Sequence, residues 1–92
     1  MRTAAVEAST MMKTLGHSGR LMILCHLADG EKSVGELVDL LNMPQSSLSQ
    51  HLARMRAENF VETRRESQAV YYRLENDSVR KLIVALYDIY CH

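Results

Sequence analysis

Two cysteines, four histidines and one polar helical stretch are the places where this sequence could do chemistry. Cys25 and Cys91 are too few for a disulfide-built secreted scaffold, and too far apart for a CxxC metal or redox motif. Cys25 falls on an apolar helical arc, where a free cysteine serves equally well as a small hydrophobe or as a reactive thiol. Cys91, next to the last residue, is expected to pack little and to be exposed, which favours reactivity if its thiolate is accessible. His17, His26, His51 and His92 lie on separate segments, and none has the i, i+4 spacing of a helical metal pair. His26 reads as a partly exposed helix residue and His92 as a disordered end. Cys25 is followed directly by His26, but adjacent helix residues point about 100° apart. A thiol enzyme such as a peroxidase therefore lacks its nucleophile-base pair.

The polar stretch is QSSLSQHLARMR, from Gln45 to Arg56. Leu48, Leu52 and Met55 are spaced by four and three, which leaves Gln45, Ser46, Ser49, Gln50 and Arg54 free of the apolar stripe. Gln pairs with adenine, Ser with several base edges, and Arg with guanine or phosphate. Short polar side chains are also ordinary on solvated helices, so composition alone leaves both readings open. Charge gives little help. The chain has 11 Lys and Arg against 11 Asp and Glu, and from Gln45 to Gln68 the arginines at 54, 56, 64 and 65 exceed the glutamates at 58, 62 and 66 by one. Nonspecific attraction of a single subunit to a polyanion should be weak.

These residues need elements to hold them. At 92 residues the chain reads as one small domain, residues 1–92, short enough to gain from dimerisation. MRTAAVEAST has no apolar segment before a cleavage site, and no run approaches the roughly 18 residues that span a bilayer, so a soluble, cytoplasmic protein is expected. Helical spacing of Ala4, Ala8, Met11 or Met12 and Leu15 predicts a first helix ending near Gly16. His17 then belongs to a loop, with Ser18 as N-cap. A second helix carries Leu21, Met22, Leu24, Cys25, Leu27 and Ala28 and stops at Asp29-Gly30. Ser33 and Glu36 form a capping-box pattern before a short third helix, and Asn42 suits its C-terminal end. Pro44 belongs in the first turn of a fourth helix running to about Asn59. The period then changes to two. Val61 to Glu66 and Val70 to Leu74 make a hairpin around Ser67-Gln68. The last helix carries Val79, Leu82, Ile83, Leu86 and Tyr90 on one stripe and Val84, Tyr87 and Cys91 on another, and so needs two partners.

Two short helices joined by Asn42-Met43-Pro44 and followed by a hairpin follow the order of a winged helix-turn-helix. The fold class is mainly α with a two-stranded β-hairpin wing and five helices, and in that geometry the fourth helix lies in the DNA major groove. SVGELVDLLNMPQSSLSQHLARMRAENFVETRRESQAVYYRL resembles the core of the ArsR family of small bacterial winged-helix regulators, in which SQHL, a linker to Val and a Tyr-rich second wing strand recur in this order. The likeness runs from about Leu15 to Tyr90. It implies a homodimer built from the first and last helices, bound to an inverted-repeat operator in duplex DNA. By position it makes Gln45, Ser46, Ser47, Ser49, Gln50 and His51 base readers, and Arg54, Arg64, Arg65 and Gln68 backbone contacts.

Many members of that family sense metals, but the residues for it are missing here. SVGELVDL lacks the CxC-type pair of the third-helix site, and Asp77-Ser78-Val79 lacks the first His of the terminal-helix site, with Tyr90 about where its second would fall. Neither a metal nor any other cofactor is implied. LCHL in the second helix and YC ending the last resemble instead the subgroup that senses reactive sulfur or oxidants. That likeness implies Cys25 and Cys91 joined within one protomer by a disulfide or a short polysulfide, and a regulator, as a rule a repressor, that then leaves its operator. The other reading keeps the winged helix with inert cysteines, contacting proteins or displacing other DNA-binding proteins.

Overall fold

The computed structural model describes residues 2–91; His92 lies outside them. Among the described residues the order is α1 (Arg2–Leu15), α2 (Ser18–Ala28), β1 (Lys32–Ser33), α3 (Val34–Leu41), α4 (Gln45–Ala57), β2 (Val61–Glu66), β3 (Ala69–Leu74) and α5 (Asp77–Tyr90). The fold is mainly helical, with five helices and a small antiparallel sheet in the order β1-β3-β2.

Local chemistry sets most of the boundaries. Ser33 Oγ accepts the Glu36 N–H while a Glu36 carboxylate oxygen accepts the Ser33 N–H, so the expected capping box starts α3. Asn42 ends that helix in the left-handed region at φ 51°, which its short polar side chain tolerates. Pro44 is the N-cap of α4 rather than part of its first turn, and the helix stops at Ala57, two residues before Asn59. At the start of α2 the cap is His17 and not Ser18: its Nδ1 accepts the Gly19 N–H at 3.0 Å. An imidazole nitrogen does there what a serine hydroxyl commonly does.

The hairpin turns at Ser67-Gln68 as the alternation predicts, with Ser67 at φ 57°. It gains a third strand that periodicity could not reveal. β1 is two residues long, pairing Lys32 with Tyr72 and Ser33 with Tyr71, and so ties the wing to the start of α3.

Ile23, Leu24, Leu27, Leu37, Leu48, Leu52, Met55 and Val79 form the fully buried centre, closed by Phe60, Val61, Leu74 and Ile83. Arg20 is buried with its charge at the C-terminal end of α1. Its Nε donates to the Thr14 carbonyl at 2.8 Å and its Nη2 to the Lys13 carbonyl at 3.3 Å, which answers the exposed carbonyls and the dipole of that end. Tyr90 does not join the core stripe of α5, being 77% exposed. The helix outruns the core after Leu86, leaving Tyr87, Ile89 and Tyr90 uncovered, and Val84 on its outer face is exposed too, as are Val6 and Met12 of α1.

Candidate nucleic-acid interface and thiol pair

α4 is held by Leu48, Leu52 and Met55, each fully buried, and this fixes which side chains face outward. Gln45, Ser46, Ser49, Gln50 and Arg54 are exposed. Gln45 and Ser49 line a groove of about 520 Å³ together with Ser33, Gly35, Gln68 and Val70, so the start of α3, the face of α4 and the wing tip share one concave surface. Four of the residues picked from sequence, Gln45, Ser49, Gln68 and the flanking Ser46, are therefore at or beside one site.

Ser47 and His51 stand apart from that group. Both are half-buried, on the flank of α4 nearer to α2. The His51 ring lies 4.7 Å from that of His17 between centroids, tilted by 53°. Burial, then the neighbouring His17, Arg20 and Arg54, push the His51 imidazole below its usual pKa. Sequence reasoning missed His17 as a partner because nothing in its spacing connects residue 17 to residue 51.

The arginines are not equivalent either. Arg54 Nε lies 3.7 Å from the Glu58 carboxylate, which also accepts a hydrogen bond from Thr14 Oγ1 at 2.6 Å. Arg64 is paired with Glu31 at 2.7 Å and with Glu66 at 2.6 Å. Arg73, at the other end of the wing, bonds Glu62. Arg65 is exposed and has no ion pair among the described residues.

Cys25 and Cys91 are both free and exposed, which removes the reading of Cys25 as a buried hydrophobe. The second helix turns Met22 and Cys25 outward, and its wide apolar arc concealed this. Cys25 sits at a cleft of about 310 Å³ between α2 and α5, lined also by His26, Asp29, Ile83, Val84 and Tyr87. Partial burial of the sulfur pushes its pKa up, and the charges of Cys91 and Asp29 push it further. Cys91 caps α5, its N–H donating to the Tyr87 carbonyl at 2.8 Å. Among the described residues, no three His, Cys, Asp or Glu side chains gather as a metal site, and no helix is long and apolar enough to cross a membrane.

A helix pair with an outward polar second helix, followed by a wing that shares its groove, defines a winged helix-turn-helix DNA-binding regulator rather than an enzyme. The chain belongs to the family described as bacterial regulatory protein, arsR family, which matches residues 17–63. It is similar to the biofilm growth-associated repressor of Agrobacterium fabrum, 47% identical over 99% of this chain and 78% of that protein. The transcriptional activator HlyU of Vibrio cholerae is 43% identical over 99% of this chain and 84% of that one. Among solved structures, reduced HlyU from Vibrio cholerae N16961 superposes with a TM-score of 0.96 at 42% identity, over 100% of this chain and 97% of that one. The repressor BigR from Xylella fastidiosa does so with a TM-score of 0.94 at 42% identity, over 100% and 94%.

Proposed function

We propose that this transcriptional regulator is a dithiol switch: a homodimer that binds an inverted-repeat operator and releases it when Cys25 and Cys91 become bridged. The observation that supports the reading is a pair of free, exposed thiols, Cys25 in the cleft between α2 and α5 and Cys91 at the end of α5. Gln45, Ser46, Ser49 and Gln50 read base edges in the major groove. Arg54, Arg65 and Gln68 belong to the same interface, with Arg64 in the wing beside it and Ser47 and His51 on its flank. The uncovered Val6 and Met12 of α1 and Val84, Tyr87 and Ile89 of α5 support a dimer through these helices, because apolar surface of this kind gains by being covered. The relatives named repressor and activator support action at promoters, and the sign of regulation depends on where the operator lies.

Chemically, one thiolate meets the reagent first and the other closes the bridge, with Cys91, at the end of α5, as the first. With a peroxide, the Cys91 thiolate takes the distal oxygen and an alcohol or water leaves; Cys25 then displaces water from the sulfenic acid to give the disulfide. With a reactive sulfur species, extra sulfur atoms allow a wider gap than the 4.4 to 6.8 Å between Cα atoms that a direct disulfide needs, roughly. The bridge ties α2, which packs on α4, to α5 of the dimer contact, and alters the fit of the two α4 helices to successive major grooves about 34 Å apart.

The test treats reduced protein with peroxide, glutathione disulfide and glutathione persulfide, and weighs it intact. Loss of two hydrogens marks a disulfide and added sulfur a polysulfide. A Cys25→Ser or Cys91→Ser protein that still releases a selected operator on treatment would falsify the switch.

A further inference from the structure

Cross-strand register separates the two adjacent arginines of the wing. Arg65 pairs with Val70 and Arg64 with Tyr71. Directly paired side chains share a face of the sheet, and successive residues alternate between faces. Val61 and Leu74 are paired and buried, so Thr63 and Arg65 lie on that inner face with them. Val70, opposite Arg65, and Ala69, opposite Glu66, both line the groove that holds Gln45 and Ser49, so the buried Val61–Leu74 pair is what separates the two faces. Arg65 thus leaves the strand on the face turned toward the helical core, exposed at the wing tip and unpaired among the described residues.

Arg64 leaves from the other face. There its Nη2 is 2.7 Å from Glu31, its Nη1 is 2.6 Å from Glu66, and its Nε donates to Glu31 at 3.2 Å. The guanidinium carbon also lies 4.8 Å from the centroid of the Tyr71 ring. All three nitrogens are engaged, and two carboxylates more than offset the single positive charge. A phosphate approaching Arg64 would meet Glu31 and Glu66 first, whereas one approaching Arg65 meets a lone cation.

We infer that the two arginines divide the work of the wing: Arg65 meets the DNA backbone, while Arg64, clamped by Glu31 and Glu66, is a positioning residue that ties the wing to the connection before β1. The inference rests on the proposed role of α4 and the wing in DNA binding. It makes Glu31, far from the wing in sequence, part of the apparatus that aims it.

Salt dependence distinguishes a contact from a positioning role, since each neutralised phosphate adds about 0.9 to the steepness of log K against log salt concentration. Binding of a fluorescein-labelled, mixed-sequence duplex of about three helical turns would be followed by anisotropy across a potassium chloride series. R65A is expected to flatten the slope by about 0.9 per bound protomer. R64A and E31Q are expected to keep the wild-type slope and to weaken binding by the same factor at every salt concentration. If R64A does not fold, as judged by circular dichroism, R64Q takes its place with the same expectation. A flattened slope in the Arg64 variant, an unchanged slope in R65A, or wild-type affinity in E31Q overturns the assignment. Salt-independent binding by the wild-type protein overturns the DNA reading and this assignment together, whereas a failure confined to the variants overturns only the latter.

Discussion

The imidazoles of His17 and His51 lie 4.7 Å apart between centroids and join the start of α2 to the middle of α4. His17 Nδ1 accepts the Gly19 N–H, and His51 is crowded by burial, His17, Arg20 and Arg54. The pair therefore favours the neutral form of His51 in the folded protein.

The sign of the resulting pH dependence is fixed. With the folded pKa of His51 below its unfolded value of about 6.5, the unfolded state binds more protons in the window between the two. Stability is fully present above about 6.5 and is lost as pH falls through that window to the folded pKa. Thermal melts from about pH 8 to about pH 5 should show the loss, and His51→Gln should make it smaller. An equal loss in the variant would count against His51 as its source.

Leu52 anchors α4 from the buried side, away from its exposed polar face. Leu52→Ala removes a fully buried side chain and should cost about 2 to 5 kcal/mol, read from urea unfolding. A cost below about 1 kcal/mol would mean that the core beneath α4 collapses to fill the space.

Gln50 is exposed on the same helix and contributes nothing to that core. Gln50→Ala should leave stability within about 0.5 kcal/mol. It should also relax discrimination at one operator position by about 1 to 3 kcal/mol, measured by competition between selected and singly altered duplexes. Uniform weakening across all duplexes would instead assign Gln50 to the backbone.

Bridging Cys25 to Cys91 closes a loop that spans most of the chain. On the chain-entropy account this stabilises the oxidised protein by up to about 4 kcal/mol, less any strain. Urea midpoints of reduced and oxidised protein should differ in that direction, and Cys91→Ser should abolish the difference. An oxidised midpoint below the reduced one would place the strain above the entropic gain.

Much of the fold was legible because its signals are local. A 3.6-residue period, the Ser33 and Glu36 box, the tolerance of Asn42 for left-handed backbone and the switch to a period of two are all written within a few residues of where they act. The face of α4 was legible for the same reason, since Leu48, Leu52 and Met55 leave only one side for Gln45, Ser49 and Gln50. Contacts between distant segments were not. Glu31 meets Arg64 across 33 positions and His17 meets His51 across a similar span, and no periodicity reports such pairs. The exposure of Cys25 was hidden for a different reason: an arc as apolar as that of α2 does not say which of its edges the core leaves uncovered.

The hydrogen bond from Thr14 to Glu58 joins the last turn of α1 to the residue that ends α4. Arg20 holds the carbonyls of Lys13 and Thr14 at the same end of α1. With its C-terminal end gripped twice, α1 is coupled to the core at Thr14, and a load carried along it to that residue passes through Glu58 to the C-terminal end of α4.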